Sequence, residues 1–430
     1  MDSKKIFTGE ALGVSQLGTL VIEQFLNENY RFRRNILNGK VEFLRLDGSN
    51  RAELERATLP EAAKTAEGLS SGFNEADLKF RPLTLEAFNS IVRRAKKEQV
   101  LEKGNPKTEI TEFVHSEDVP AYDPIGDYLS KLPQWDGQNH IARLFSRLPG
   151  VTTEQQGFLA TWLLSAVAHW LQMDLLHGNE CVPTLIGAQG CGKTTFFHRL
   201  LPPELREYYL DHLNLSNKFD KEMALTNNLI VNLDELEAIR PSQHAALKQT
   251  LSKSKVNGRP IYGASQEDRP RYASFVSTTN NLHPLTDATG SRRYICLTIP
   301  QGQYIDNTGE IDYGQLYAQV VYELKVAKTP YWFSNEEVAR IQQLNQNYVT
   351  QLDLADIIAG CFRKPAEGES VKALNSAEML KLIQREYPSV KSDHSTKVHI
   401  GLAMKELGFE HTKRGCVAYY KAIPLKVKVA

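Results

Sequence analysis

The sequence predicts an α/β protein whose core is a mostly parallel sheet covered by helices, with smaller modules on either side. Three observations lead there. Between about Glu180 and Pro300, β-rich runs (VPTLIG, NLIVNLDE, YASFVSTTN and RYICLTI) alternate with helical patterns, which is how strands joined by crossover helices read. The first run enters a glycine-rich turn and then a helical TTFFHRLL, the local form of a strand, loop and helix meeting at one edge of a sheet. Finally, 430 residues at roughly 150 per domain leave room for about three domains.

Composition narrows the class. Lys plus Arg and Asp plus Glu both number 51, so no global charge draws the chain to nucleic acid or an acidic partner, and any such contact needs a local patch. At 41% hydrophobic, 24% charged and a mean hydropathy of −0.38, the chain is of ordinary globular type. Its most apolar stretch, Gly157 to Met173, is interrupted by Thr161, Ser165 and His169 and falls short of the roughly 20 residues of a bilayer span. The opening MDSKKIFTGEALGV has no apolar segment ahead of a small-residue cleavage site, so a cytoplasmic chain without membrane contact is expected. Five scattered cysteines, Cys181, Cys191, Cys296, Cys361 and Cys416, form no CxxC pair and read as reduced, mostly buried thiols.

Taken in order, residues 1–115 form an α+β module. Asn38-Gly39 between the apolar runs of Tyr30 to Leu46 predicts a hairpin, and Leu85, Phe88, Ile91 and Val92 predict a helix with Arg93, Arg94, Lys96 and Lys97 on its other face. Residues 116–178 read as a helical subdomain ending in a long helix from about Gln155 to Met173. Residues 179–330 hold the sheet, 331–370 a helical linker and 371–430 a terminal module. In that module Asn375 and Glu378 suggest a capping box, a second helix follows near Thr396, and a basic hairpin turns at Arg414-Gly415; helix, helix and hairpin is a winged-helix-like order.

The chemistry is concentrated in four places. Gly187-Ala188-Gln189-Gly190-Cys191-Gly192-Lys193-Thr194 is a complete GxxxxGK[ST], which marks a P-loop NTPase core. In such a loop Gly187, Gly190, Cys191 and Gly192 offer backbone N–H groups to phosphate, and Thr194 and Thr195 open the helix. Lys193 neutralises β/γ charge, and the Thr194 hydroxyl can ligate Mg²⁺. The apolar strand Leu229 to Leu233 ends in Asp234 and Glu235, placed to organise Mg²⁺ and to polarise water, because ligands sit at the carboxyl ends of parallel strands. The strand Tyr272 to Thr279 ends at Asn280, a neutral amide that can orient water or sense the γ-phosphate. Arg292 and Arg293 precede a last strand, where a guanidinium could meet transferred phosphate charge.

The series GAQGCGKT, NLIVNLDE, FVSTTNN and TGSRRYICL resembles the virulence-associated protein E family, whose P-loop domain is similar to superfamily 3 helicases of the AAA+ class. The resemblance covers about half the chain, from near Val119 to Pro300. It implies Walker A at Lys193 and Thr194, Walker B at Asp234 and Glu235, sensor 1 at Asn280, and a finger at Arg292 or Arg293 acting on a neighbouring subunit. It also implies ATP and Mg²⁺, DNA (single-stranded or forked) as partner, a homo-oligomer in the form of a hexameric ring, and a role in DNA replication on phages and other mobile elements. Some relatives carry a primase ahead of the motor, but residues 1–120 hold no paired-Asp DxD, so primase activity is not expected.

DNA contacts are expected at two places. In KQTLSKSKVNGRPIYGASQEDRPRYASF the Asn257-Gly258 pair suggests a turn flanked by Lys253, Lys255 and Arg259, with Tyr262, Arg269 and Arg271 beside them; superfamily 3 helicases place a hairpin here in the ring channel. The terminal module adds Lys397 and Arg414. Two other functions fit the same loop: a P-loop kinase, and an ATP-gated DNA-binding initiator or defence-complex scaffold that does not unwind DNA. The Asp-Glu pair, Asn280 and the arginines favour hydrolysis over a kinase.

Overall fold

The computed structural model describes residues 14–48, 79–173, 178–213, 215, 217–236, 241–258, 267–285, 291–349, 354–366, 369, 371–388, 390, 392–415 and 417–425. The N-terminal module begins with α1 (Val14–Asn29) and the antiparallel hairpin β1 (Tyr30–Asn35) and β2 (Val41–Arg45). Its turn forms at Asn38-Gly39, where Gly39 takes a positive φ of 68° and the Asn38 side chain accepts from Lys40 N–H at 2.9 Å. After β3 (Arg81–Pro82) come α2 (Leu85–Lys97), α3 (Pro106–His115) and β4 (Ala121–Tyr122), and the sheet order is β3-β2-β1-β4. Alternation along β1 and β2 sends Tyr30, Phe32 and Phe43 inward against Leu26, Ile91, Val92 and Ile110 of the helices. Arg94, on the basic face of α2, is drawn into the fold by Asn29 Oδ1 at 2.7 Å.

Short α4 (Pro124–Ser130) and α5 (His140–Phe145) lead to α6 (Thr153–Trp170). A capping box between Thr152 and Gln155 starts α6 two residues earlier than its apolar pattern suggests. Among the described residues, no helix is long and apolar enough to cross a membrane. The apolar residues of α6 instead pack on the sheet, with Trp162 fully buried; trimming such a residue to alanine costs about 3–5 kcal/mol.

The central sheet comprises β5 (Val182–Ile186), β6 (Tyr209–Leu210), β7 (Ile230–Asp234), β10 (Ser274–Thr279) and β11 (Tyr294–Thr298) in the order β11-β5-β10-β7-β6. All four pairings are parallel. Its strands are buried on both faces, and β10 is fully buried although Ser274, Ser277, Thr278 and Thr279 all carry hydroxyls. One face, including Leu185, Val276, Ile295 and Leu297, packs on α6, on α7 (Lys193–His198) and on α10 (Tyr313–Tyr322). The other, including Val182, Val231, Phe275 and Cys296, packs on α8 (Lys218–Asn227) and α9 (Pro241–Ser252). Between α9 and β10 stands the antiparallel pair β8 (Lys255–Gly258) and β9 (Glu267–Pro270).

The stretch expected as a helical linker is divided between two bodies. α11 (Asn335–Leu344) belongs to the core, where Ile341 is buried with the sheet's own residues. α12 (Leu354–Cys361) contributes Ile357 and Ile358 to the terminal module. There β12 (Phe362–Arg363) pairs with β16 (Ile423–Pro424). β13 (Leu374–Asn375) joins β14 (His411–Arg414) and β15 (Val417–Tyr420) in a second small sheet, beside α13 (Ser376–Glu386) and α14 (His394–Glu406). The capping box of Asn375 and Glu378 is formed, and helix, helix and hairpin follow in winged-helix-like order. The described cysteines, Cys181, Cys191, Cys296 and Cys361, are unpaired and buried; Cys416 lies outside the described residues.

Candidate functional site

The carboxyl ends of β5, β10 and β7 stand side by side, and their register sets the site. Ile186 lies level with Thr279, and Thr278 level with Asp234. Gly187 and Asn280 therefore leave the sheet together, and Gly187 N–H donates to Thr279 O at 3.2 Å.

The turn after β5 has the form its glycines require. Gly190 and Gly192 sit at φ 80° and 94°, a region that L side chains rarely adopt. A Cβ at Gly192 would lie 2.5 Å from Asn307 Nδ2, and one at Gly187 would lie 3.0 Å from Ile299 Cβ; at Gly190 it would meet nothing within 4 Å. The loop is thus braced on one side and open at Gly190. Ile305 N–H donates to Cys191 O at 3.0 Å, and Asn307 Nδ2 donates to Gly192 O at 2.9 Å. Local sequence gives no sign of these braces, because Asn307 is far from the loop in the chain.

Lys193 is buried, and its ammonium donates to Gly187 O at 2.8 Å, Ala188 O at 2.9 Å and Asn280 Oδ1 at 2.8 Å. Asn280 is thereby brought into direct contact with the lysine. Thr194 and Thr195 are exposed at the start of α7. Across β10, the Thr278 hydroxyl donates to Asp234 Oδ1, leaving the exposed carboxylate oriented at the strand end. Glu235 follows at φ 50°, a left-handed conformation that costs a non-glycine residue on the order of 1 kcal/mol or more, and its side chain is exposed.

The two arginines are treated differently by the fold. Arg293 Nε lies 3.2 Å from Glu180 Oε2, a charge contact without hydrogen-bond geometry, and its Nη2 donates to Ser252 Oγ at 3.4 Å. Arg292 is exposed, and among the described residues nothing pairs with it. The structure thus separates two candidates that the sequence left equivalent.

The expected basic hairpin is β8–β9, with one change in its geometry. Asn257 and Gly258 lie within β8 rather than at a turn, because Asn257 and Gly258 are paired with Asp268 and Glu267. Arg259 and Tyr262 lie outside the described residues. Lys255 is exposed and ion-paired with Asp268 across the strands, so part of its charge is already answered. Lys253 lines a cleft of about 320 Å³ with Lys218 and Lys221, lysines that the motif-based reading passed over. In the terminal module Lys397 is half-buried on α14, and Arg414 is exposed at the end of β14.

Arg271 is a correction. It was expected to meet DNA, but it is 1% exposed, and its guanidinium donates to four carbonyls: Ala273 O at 2.8 Å, Leu251 O and Lys253 O at 2.6 Å each, and Asn179 O at 3.0 Å. A rigid fork of donors suits several carbonyls arriving from different directions, and here it ties the base of the hairpin to the end of α9 and the approach to β5.

A family model described as the virulence-associated protein E-like domain matches residues 129–350, just over half of the 430 residues. The chain belongs to the virulence-associated protein E-like family. The match reaches beyond Pro300, where the motif series ends, and takes in α11, whose Ile341 is buried with the sheet. No curated protein matches the chain. Among solved structures, the apo structure of the NrS-1 C-terminal region (305–718) is similar at 13% identity and a TM-score of 0.44, covering 94% of this chain and 98% of that one. JCV helicase in complex with a thiazolopyridinyl acetamide is similar at 11% identity and a TM-score of 0.25, covering 82% and 98%.

Proposed function

We propose that this virulence-associated protein E-like chain is an Mg²⁺-dependent ATPase that acts on DNA as an oligomeric replicative helicase. The observation that carries the reading is the meeting of Lys193 with Asn280 at 2.8 Å, beside Asp234 and Glu235 on the same sheet edge. A loop lysine in contact with a polar amide, with a carboxylate pair at the end of the adjacent strand β7, is the arrangement hydrolysis calls for.

The residues fit nucleotide and metal. The open side at Gly190 and the start of α7 offer N–H groups to phosphate, and Lys193 supplies the charge. Thr194 and Asp234 provide hard oxygen donors of the kind Mg²⁺ takes alongside its waters. When bound, Mg²⁺ supplies charge neutralisation at the β- and γ-phosphates. Glu235 accepts the proton of the attacking water, and Asn280 holds Lys193 in register with the phosphate while remaining neutral. Arg292, exposed and without a partner among the described residues, reaches the site of a neighbouring subunit, which couples turnover to assembly into a ring. Lys253 and Lys255 contact the DNA backbone in the ring channel, with Lys397 and Arg414 tethering the strand from the terminal module.

The test is ATPase activity with and without single-stranded DNA, followed by displacement of a strand from a forked duplex. Lys193→Ala abolishes both activities in this reading. DNA-stimulated hydrolysis without displacement would support instead an ATP-gated initiator, and no hydrolysis under any condition would remove the motor reading.

A further inference from the structure

The stretch bearing Arg292 is gripped at both ends by one short segment that follows α11. On the upstream side, His283 Nδ1 lies 3.0 Å from Asn347 O. Leu285 N–H donates to Tyr348 O at 3.1 Å, and Leu285 pairs with Val349 in a parallel bridge. On the downstream side, the Thr298 hydroxyl donates to the Tyr348 hydroxyl at 3.1 Å. Between them, Asn345 Nδ2 donates to Ser291 O at 2.7 Å and Tyr294 O at 2.5 Å.

Asn345 is 1% exposed, Ser291 2% and Tyr294 9%, so the amide holds both carbonyls inside the fold. These carbonyls belong to the residues on either side of Arg292 and Arg293. A single side chain therefore fixes the backbone before and after the arginine pair, within a one-turn 3₁₀ helix at Ser291–Arg293 too short to hold its own geometry. Arg293 is already anchored by Glu180 and Ser252. What remains to project outward is Arg292.

We propose that Asn345 is a positioning residue for Arg292: it sets the angle at which that guanidinium leaves the subunit. The proposal rests on the reading of Arg292 as the finger. A misplacement of about 1 Å at such a group costs on the order of 10²-fold in rate, which a buried two-bond anchor prevents and an exposed turn would not. The residue was not evident in the sequence, where RIQQLNQNY reads as polar linker.

The experiment is a double-mutant cycle on the full chain, reading kcat and KM for ATP separately. Asn345→Ala should lower kcat about 10- to 100-fold with KM changed by less than about twofold, since it leaves Lys193 and the loop in place. Asn345→Ser, which keeps one donor, should recover part of the loss, and it carries the cycle if alanine unfolds the turn. Wild-type affinity for a non-hydrolysable ATP analogue serves as the check on folding. In the Arg292→Ala background, removal of Asn345 should cost nothing further in kcat. Independent, multiplying losses would overturn the positioning role while leaving the finger intact, as would a rise in KM with kcat unchanged. Undiminished turnover in Arg292→Ala alone would remove the finger, and the positioning role with it.

Discussion

Arg271 sits where the β8–β9 hairpin joins the central sheet, so replacing it distinguishes a surface contact from a structural anchor. Arg271→Ala leaves the carbonyls of Asn179, Leu251, Lys253 and Ala273 without the donor that serves them. An orphaned buried acceptor costs about 1–3 kcal/mol. The Leu251 and Lys253 carbonyls lie at and just past a helix end and can recover water once the side chain is gone, so the expected loss is about 3–5 kcal/mol rather than the full sum. For a domain of this size each kcal/mol moves the midpoint by about 2–4 °C, giving a fall of roughly 6–20 °C in thermal unfolding followed by circular dichroism. Arg271→Lys should recover only part of this, because one ammonium cannot reach acceptors set around a planar fork. Gly178→Ala should reproduce the defect from the other side: a Cβ there would stand 2.5 Å from Arg271 Nη1 and 2.7 Å from Lys253 O. If Arg271→Ala instead unfolds within 2 °C of wild type while the log–log salt slope of DNA binding falls by about 0.7–0.9, the side chain meets phosphate and the anchoring argument is wrong.

Four further outcomes follow from the site. Glu235→Gln keeps shape and loses the base, so ATP binding should persist while turnover falls by about 10² or more; filter binding and phosphate release measure the two. Asn280→Asp puts a carboxylate 2.8 Å from Lys193 Nζ and should hold the ammonium away from phosphate, weakening ATP affinity about tenfold, as read by titration calorimetry. Asp268→Asn frees Lys255 from its ion pair and should tighten single-stranded DNA binding and steepen its salt dependence by up to about 0.7; unchanged binding would place Lys255 off the DNA path. Burial pushes the Cys181 thiol up to about 12 and raises that of Cys296, so neither should be alkylated by iodoacetamide at pH 8 until denaturant is added, and mass mapping of labelled peptides decides it.

Much of this protein is written in stretches short enough to read directly. The glycine spacing of Gly187 to Thr194 implies its own loop because positive φ and close backbone approach are local demands, and the apolar runs at Val182 and Leu229 imply buried parallel strands. Asp234, Glu235 and Asn280 could be placed at strand ends for the same reason. Sequence could not decide which strands are neighbours. That β10 stands between β5 and β7, and so puts Asn280 on Lys193, follows from the register of pairings between segments some 40 to 90 residues apart, which no window on the chain contains. The arginines make the same point. Arg271, Arg292 and Arg293 are chemically identical and lie within one short region, yet one is buried on four carbonyls, one lies against Glu180 and one is exposed with no partner among the described residues. A guanidinium's fate depends on which acceptors the rest of the chain brings to it, and here these come from Asn179, Glu180, Leu251 and Lys253. Asn345, silent in a polar stretch, gains its place only because α11 packs on β11 and delivers its amide beneath the turn that carries Arg292.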